Sequence, residues 1–530
     1  MSKSNLLFKD SDVDILDQHI DDIKEKVELI RADMFKSPIS DEDKLRVLDV
    51  IINFTIKKQR KVYGGYAINE LILLDGNEEP IYEPNTVHDI DFYSPDPIND
   101  VMDICDELHK LNIGEVIGKE AIHAQTYSIT VADELFCDVS YVPNNIYHRM
   151  PVKTSKQGIY VIHPHFMWID YQRILTDPIN SWFRVEKSYR RFSIVQKLFK
   201  FPMNLTGIDI GGSTPEIDLS LTTILNFLKN RETTITVGFY AYNYFLDQSK
   251  AHRVQSRGRG GQRTRTSKST LKFLDVPYYE FISTDYKKDT LKLLQRLRDA
   301  FPDKAETITH TEQYPFMEYT GYSTNIYCNG DIVAKIYDHN KRCTPYQDVG
   351  CKVYAKDIKK HQDTGCKVRL GTFTLTLLYN IVNIQRYRVN KDNQSKELFY
   401  AITSHLLHMR NHYFESTGKH LLDETPFKEM EINCAGKTLT PFMEKKLRIL
   451  KNKKANRRYT FKYDPSVPIS KRPKFVFLNS SGNKINNDKN LKLTGEDSED
   501  ELQEGGTSEL SSDDDVSPTD VQTTEMVDSD

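Results

Sequence analysis

Gly64-Gly65-Tyr66-Ala67-Ile68-Asn69-Glu70-Leu71, then His88-Asp89-Ile90-Asp91-Phe92, then Leu135-Phe136-Cys137-Asp138-Val139-Ser140: these three blocks decide the fold. Lys61-Val62-Tyr63 reads as a short strand that feeds the glycine pair, and the pair opens a helix. Side chains at i and i+2 of a strand share a face, so Asp89 and Asp91 project together while Ile90 turns inward. Asp138 lies in a later apolar strand and supplies a third carboxylate, with Cys137 on the opposite, core-facing side. Three carboxylates converging from neighbouring strands make a nest for hard divalent cations, the layout of two-metal phosphoryl or nucleotidyl transfer. Gly64 and Gly65 permit close backbone approach, and the helix N-terminus behind them offers free N–H groups to phosphates. A Gly-Gly pair or an Asp-x-Asp alone is common. The combination in this order with a third Asp is specific.

Outward from these blocks the pattern is mixed. Ile15, Ile20, Ile23, Val27 and Ile30 have helical spacing within 12–35. Ser40 is positioned to cap a second helix whose inner face is Leu45, Leu48, Ile51 and Ile52. Asp75-Gly76-Asn77 ends the helix after the glycines, and Ser94-Pro95-Asp96-Pro97 turns the chain into a helix reaching Leu111. Strands follow near 125–131 and 134–142. The segment His163 to Lys200 is helical with a break at Asp177-Pro178. Its aromatics, Trp168, Tyr171 and Trp182 among them, read as core rather than as base-stacking platforms. Arg184, Lys187 and Arg191 recur at three or four residues and share a helix face. That face either contacts a triphosphate or RNA backbone or is merely solvated.

The chain repeats itself. Gly238-Phe239-Tyr240-Ala241-Tyr242-Asn243 matches the first block, and Glu280-Phe281-Ile282-Ser283-Thr284-Asp285 matches Asp91 to Asp96. The register continues through Asp289 against Asp100. Val333 to Tyr337 then falls against Cys137 to Tyr141. In this alignment Tyr278, Glu280 and Ala334 stand for Asp89, Asp91 and Asp138. One carboxylate beside Lys335 cannot hold two dications, so the second copy reads as catalytically dead. The copies differ most at 253–268, where Arg253, Arg257, Arg259, Arg263, Arg265 and Lys268 alternate with glycine and polar residues in a loop suited to RNA phosphates. Two further basic stretches, 445–454 and 457–474, interleave with Tyr459, Phe461 and Tyr463, as a nucleic-acid track would.

The 530 residues imply two or three domains. The net charge of −4 conceals an asymmetry. Residues 496–530 hold 14 of the 76 acidic residues and no Lys or Arg, leaving a body of +10 that suits a polyanion. No run of roughly eighteen apolar residues suggests a membrane span, and the first residues lack a signal-peptide core. Seven cysteines without close pairs read as reduced thiols of a cytosolic protein. Cys343, Cys351, His361 and Cys366 lack the tight steps of structural zinc.

Gly64-Gly65, Asp89-x-Asp91 and Asp138 resemble the nucleotidyltransferase superfamily of DNA polymerase beta. Tyr63-Gly64-Gly65-Tyr66-Ala67, His88 to Ser94, Asp138-Val139-Ser140-Tyr141 and Gly371-Thr372-Phe373 resemble more closely the poly(A) polymerase catalytic subunits of large cytoplasmic DNA viruses (poxvirus, asfarvirus and giant-virus), the giant-virus branch above all. The resemblance implies an α+β fold: N-terminal helices over 1–39, a catalytic nucleotidyltransferase domain over 40–200, and a degenerate copy over 201–390. A helical and basic region over 391–476 and a disordered acidic tail over 477–530 would follow. It implies template-independent addition of AMP from ATP to mRNA 3′ ends with release of pyrophosphate. Asp89, Asp91 and Asp138 would hold two Mg²⁺ or Mn²⁺ ions, and Gly64, Gly65, Tyr66, Arg184, Lys187 and Arg191 would bind ATP. Where the family has a small residue, often serine, this chain has Gly65, so only backbone is left to meet the triphosphate. Poxvirus relatives use a separate processivity partner. Here the expected arrangements are a homodimer or a processivity or capping partner, at work in the cytoplasmic viral factory and packaged in the virion. Two alternatives stay open on residues alone: transfer of another nucleotide or to another acceptor, and a non-catalytic RNA-binding scaffold.

Overall fold

A computed structural model describes most of residues 14–34, 39–251, 271–352, 362–454 and 461–470, with short gaps inside these spans, and two further strands at 477–478 and 484–485. The Arg/Gly loop with Arg253, Arg257, Arg259, Arg263, Arg265 and Lys268, together with His361, Cys343, Tyr459 and the acidic tail, lies outside the described residues.

Helix α1 (Ile20–Met34) presents Ile20, Ile23, Val27 and Ile30 as exposed side chains. In α2 (Asp41–Lys57) the Ser40 hydroxyl caps the helix by accepting from the Asp43 N–H at 3.1 Å. Its buried stripe is Val47, Leu48, Ile51, Phe54 and Thr55, while Leu45 and Ile52 are only half-buried. There follow β1 (Lys61–Tyr63), α3 (Gly64–Asp75), β2 (Ile90–Ser94), α4 (Pro97–His109), β3 (Val116–Glu120), β4 (Thr126–Val131) and β5 (Glu134–Tyr141). β3 has no counterpart in the sequence-based expectation. β6 (Val152–Thr154), β7 (Tyr160–Ile162), α5 (Pro164–Thr176) and α6 (Val185–Leu198) complete the first half.

The second half runs through α7 (Pro215–Leu228), β8 (Thr234–Val237), α8 (Gly238–Ser249), β9 (Tyr279–Ser283), α9 (Tyr286–Ala300), β10 (Ile308–Gln313), β11 (Ser323–Cys328), β12 (Asp331–Asp338), β13 (Thr344–Lys352) and β14 (Gln362–Gly371). Helices α10 (Phe373–Val389) and α11 (Asn393–Thr417), strand β15 (Cys434–Ala435), helix α12 (Pro441–Lys454) and strand β16 (Lys462–Tyr463) follow. Residues 1–471 form one compact unit, in which α10 packs against α5 of the first half. The second unit contains a two-stranded antiparallel ladder of Phe477–Leu478 and Lys484–Ile485. Among the described residues no helix is long and apolar enough to cross a membrane.

Two sheets of matching order organise this α+β fold. The first runs β16-β3-β4-β5-β2-β1-β7-β6 and the second β10-β11-β12-β9-β8-β14-β13-β15. The pairing senses agree strand for strand: β1/β2 and β8/β9 are antiparallel, whereas β2/β5 and β9/β12 are parallel. Each sheet also shows a register shift at the same place, one facing Ile129/Thr130 and the other facing Ile326/Tyr327. A bulge re-aims the residues after it, so these shifts fix the correspondence between the halves.

Local chemistry repeats as well. Asn69 Oδ1 accepts from the Ile81 and Tyr82 N–H groups at 3.1 and 3.2 Å, and Asn243 Oδ1 accepts from Leu274 N–H at 2.9 Å. In each half this amide pins the loop that leads into the central strand. Arg60 donates to Asp100 at 2.6 and 2.8 Å, and Ser94 also donates to Asp100. Arg231 and Ser283 grip Asp289 in the same way. A buried aspartate bonded by arginine and serine needs all its partners, because an unpaired charge there is costly.

Two expectations are corrected. Cys351 and Cys366 sit on the paired strands β13 and β14 with Cα atoms 5.7 Å apart and form a disulfide, and Cys434 is also disulfide-bonded. The hairpin, hidden by a spacing of 15 residues, brings the first two thiols together and leaves them no role as zinc ligands. Cys105, Cys137 and Cys328 are buried free thiols. Phe461 and Tyr463 are not open to bases either. Tyr463 lies in β16, which pairs with β3, and both rings are buried, Phe461 edge-on to Tyr127 at 5.3 Å.

Candidate active site

Asp91 is the second residue of β2, opposite Tyr63 of β1 on one side and Asp138 of β5 on the other. A parallel pair in register places the two aspartates on one sheet face. Asp89 stands on the exposed lead-in to β2, one residue ahead of the strand. The three carboxylates act on one another. Burial, then the charges of Asp89 and Asp138, push the Asp91 carboxyl well above the ordinary range. Asp138 is raised by burial and by Asp89, and Ser128 tempers this by donating to its Oδ1 at 2.6 Å.

The Gly64 φ of +73° is the left-handed conformation that glycine adopts without penalty. A side chain there would run into Asp91 Oδ2, so the glycine leaves room for the carboxylate against the start of α3. A Cβ at Gly65 would meet the Tyr82 hydroxyl and, at 2.7 Å, Arg191 Nη1. Glycine lets the ends of the Tyr82 and Arg191 side chains approach the helix start this closely. Tyr63, the residue before α3, offers no side-chain cap, so the first N–H groups of the helix stay available to an anion.

Two cations face the acids. Arg184 and Arg191 both counter the charge of Asp91, and Arg184 also counters Asp138. Arg191 donates to the Tyr82 hydroxyl at 3.1 Å and lies 5.6 Å from that ring's centroid. Lys187 is exposed and does not figure among the charges acting on Asp91 or Asp138. Tyr66 is buried. Its ring stacks at 4.8 Å on His88, which stacks at 4.5 Å on Tyr82. This stack holds the approach to Asp89. Sequence reasoning missed Tyr82, His88 and Ser128 as site neighbours. Tyr82 meets Arg191 across 109 residues, and nothing local marks it. Trp168 and Tyr171 are core, as read from sequence, but Trp182 is 71% exposed.

Among the described residues no three acidic, His or Cys side chains are already gathered closely enough to form a metal cage. The residues nevertheless suit hard dications. They are oxygen donors, mutually repelling, on a face that Gly64 keeps clear, and the charge of a bound cation would relieve the repulsion.

In the second half the equivalent ladder pairs Glu280 with Lys335. Lys335, not Ala334, therefore takes the place that Asp138 holds in the first sheet, a one-residue correction to the alignment by identities. Lys335 is buried and donates to Asn383 Oδ1 at 3.0 Å. Glu280 Oε2 accepts from Tyr337 and Asn383, each at 3.4 Å. Burial pushes both ions toward neutrality, the carboxyl up and the ammonium down to about 7, while their mutual attraction opposes it.

Comparison with known proteins matches this architecture to one enzyme class. A family profile described as poly(A) polymerase catalytic subunit matches residues 49–181. Another, described as the C-terminal part of the putative poly(A) polymerase catalytic subunit of APMV, matches 216–494. A putative poly(A) polymerase catalytic subunit of Acanthamoeba polyphaga mimivirus is 30% identical over 504 residues, 91% of this chain and 84% of the relative. One from African swine fever virus (isolate Pig/Kenya/KEN-50/1950) is 28% identical over 29% of this chain and 34% of its own length. The crystal structure of the Megavirus polyadenylate synthase superposes with a TM-score of 0.73 at 28% identity, covering 93% of this chain and 95% of that one. The chain belongs to the viral poly(A) polymerase catalytic subunits, and with them to the polynucleotide adenylyltransferases.

Proposed function

We propose that this polymerase adds AMP from ATP to the 3′ end of viral mRNA at the face formed by Asp89, Asp91 and Asp138. The observation that supports it is the in-register pairing of Asp91 with Asp138 beside the open N-terminus of α3, with Asp89 just ahead of the strand and Arg184 and Arg191 countering their charge. Two Mg²⁺ or Mn²⁺ ions held by the carboxylates would supply charge neutralisation at the α-phosphoryl group and acidify the attacking hydroxyl. Asp138, oriented by Ser128, positions the acceptor 3′-oxygen. That oxygen attacks the α-phosphorus, its proton passes to water, and the bond to the bridging oxygen breaks as pyrophosphate leaves. Gly64, Gly65 and the first N–H groups of α3 receive the triphosphate. Arg184 and Arg191 offset its charge, and Lys187 adds long-range attraction. Tyr66 acts through His88 by shaping the wall of the site.

Around this centre, residues 40–200 form the catalytic domain and 201–390 a non-catalytic copy. Residues 1–39, 391–476 and 477–530 make up the N-terminal segment, the basic region and the acidic tail. The Arg/Gly segment tracks RNA, and either a homodimer or a processivity or capping partner extends the RNA path. The enzyme works in the cytoplasmic viral factory and is carried in the virion. The decisive experiment incubates the pure protein with an oligoribonucleotide, Mg²⁺ or Mn²⁺, and each nucleoside triphosphate separately. Elongation with ATP alone is expected, and equal use of all four would leave only nucleotidyl transfer.

A further inference from the structure

The segment between α5 and α6 leaves two neighbouring aromatic side chains uncovered. Ser181-Trp182-Phe183-Arg184 includes one 3₁₀ turn, Trp182–Arg184. Its two rings stand in solvent, Trp182 at 71% and Phe183 at 61% exposure, with centroids 6.2 Å apart and planes at 87°. Exposed aromatic pairs of this size on a folded protein mark a binding surface.

The turn is anchored from below. Asn180 Nδ2 donates to both Asp177 oxygens, at 3.2 and 3.1 Å, and to the Leu439 carbonyl at 3.4 Å. Arg342 reaches Asp177 at 3.4 Å from the second half. The base is therefore held by two distant parts of the chain while the rings project outward. Preorganisation of this kind lowers the ordering cost of binding.

The location selects the ligand. Arg184 ends the same turn, lies 5.4 Å from the Phe183 ring centroid, and is the guanidinium whose charge reaches Asp91 and Asp138. A 3₁₀ rise of ~2 Å per residue separates Trp182 from Arg184 by about 4 Å along the axis. An aromatic pair beside a cation at the mouth of a nucleotidyl-transfer site matches single-stranded nucleic acid, whose bases stack on rings while its phosphates meet arginine. A protein seated there would cover the approach to the carboxylates.

We infer that Trp182 and Phe183 form a stacking platform for the bases near the 3′ end of the acceptor RNA, leading its terminal 3′-hydroxyl toward Asp138. Trp182 and Phe183 are positioning residues for the acceptor, distinct from the groups that hold ATP. The inference rests on the proposed reaction, and its test separates the two.

The chain has two tryptophans, and Trp168 is buried, so iodide-accessible fluorescence reports Trp182. With the full-length protein, oligo(A) added without ATP or metal should quench this emission and shield it from iodide, and Trp182→Phe should lack the signal. In elongation assays Trp182→Ala should raise the KM for oligo(A) roughly tenfold, the loss of one base–aromatic stack, with the KM for ATP unchanged. Trp182→Tyr should restore most of it. If saturating oligo(A) leaves the iodide-accessible emission unchanged in a protein that elongates, or if Trp182→Ala keeps the wild-type KM, the platform is refuted and the polymerase reading stands. Shielding that develops without RNA as protein concentration rises would make the patch a contact between copies and refute it too. Failure of the wild-type protein to bind or extend any primer would overturn the proposed reaction and this inference together.

Discussion

The two sheets share strand order, bulge position, the asparagine that pins the loop and the arginine–aspartate–serine clamp, and they part company at three side chains. Asp89, Asp91 and Asp138 in the first correspond to Tyr278, Glu280 and Lys335 in the second. The first set accumulates negative charge that Arg184 and Arg191 offset from outside the strands. The second carries its own cation, supplied by Lys335 and coordinated by Asn383. The same scaffold thus tolerates two solutions to one electrostatic problem, and only the open solution leaves ligand positions for chemistry.

The largest effect that tests this contrast is on turnover. Asp91→Ala should lower primer elongation by roughly three orders of magnitude, since loss of a ligand forfeits several kcal/mol of transition-state stabilisation. Glu280→Gln should leave turnover per folded molecule unchanged. Comparable losses from both would place chemistry in both sheets.

Stability should show the mirror image. Lys335→Met removes the charge that opposes neutralisation of Glu280 and the bond to Asn383, and should cost about 1–3 kcal/mol in denaturant unfolding, the range for a buried polar group left without its partner. The Glu280→Gln/Lys335→Met double variant should recover much of that loss, whereas additive losses would mean that the two ions do not interact.

Equivalent glycines sharpen the contrast further. Gly64→Ala forces a side chain toward Asp91 at positive φ and should cut elongation about tenfold or more, by misplacing a ligand. Gly238→Ala, where a Cβ would meet Glu280 Cβ at 3.0 Å, should cost stability of about 1–3 kcal/mol and spare activity.

The smallest expected effect is on pH dependence. The Asp91 carboxyl is raised in the fold, so the stability it lends as a neutral acid is full below its ordinary value of 3.8 and lost as pH rises through the elevated one. A dication binds the ionised form and should restore what is lost. The rise in melting temperature on adding Mg²⁺ should therefore grow with pH in wild type and be nearly flat in Asp91→Asn. A flat wild-type profile would contradict the raised carboxyl.

Much of this was legible in the sequence because it is local. The spacing of Asp89 and Asp91, the glycine pair, the Ser40 cap and the alignment of Asp289 with Asp100 all sit within single elements or ungapped runs. The failures have physical causes too. Lys335 was missed as the counterpart of Asp138 because the segments joining the paired strands differ in length, and residue identities alone do not fix where the gap falls. The Cys351–Cys366 bond needed a hairpin whose turn has no strong signal. Phe461 and Tyr463 looked like base-stacking aromatics until β16 buried them. Trp182 read as core because helical aromatics usually are, and only the break after α5 leaves it in solvent.

One consequence follows from β16. Lys462 and Tyr463 complete the edge of the first sheet from more than three hundred residues downstream, with Tyr463 bonded to Asp106 at 2.8 Å and Arg448 to Glu120 at 2.7 and 2.9 Å. On the ribosome the β3 edge therefore stays bare until residues 462 and 463 have been synthesised. A message cut short before that point yields a chain with an unprotected strand, prone to pairing with its neighbours. Full-length translation is in this way built into the maturation of the enzyme.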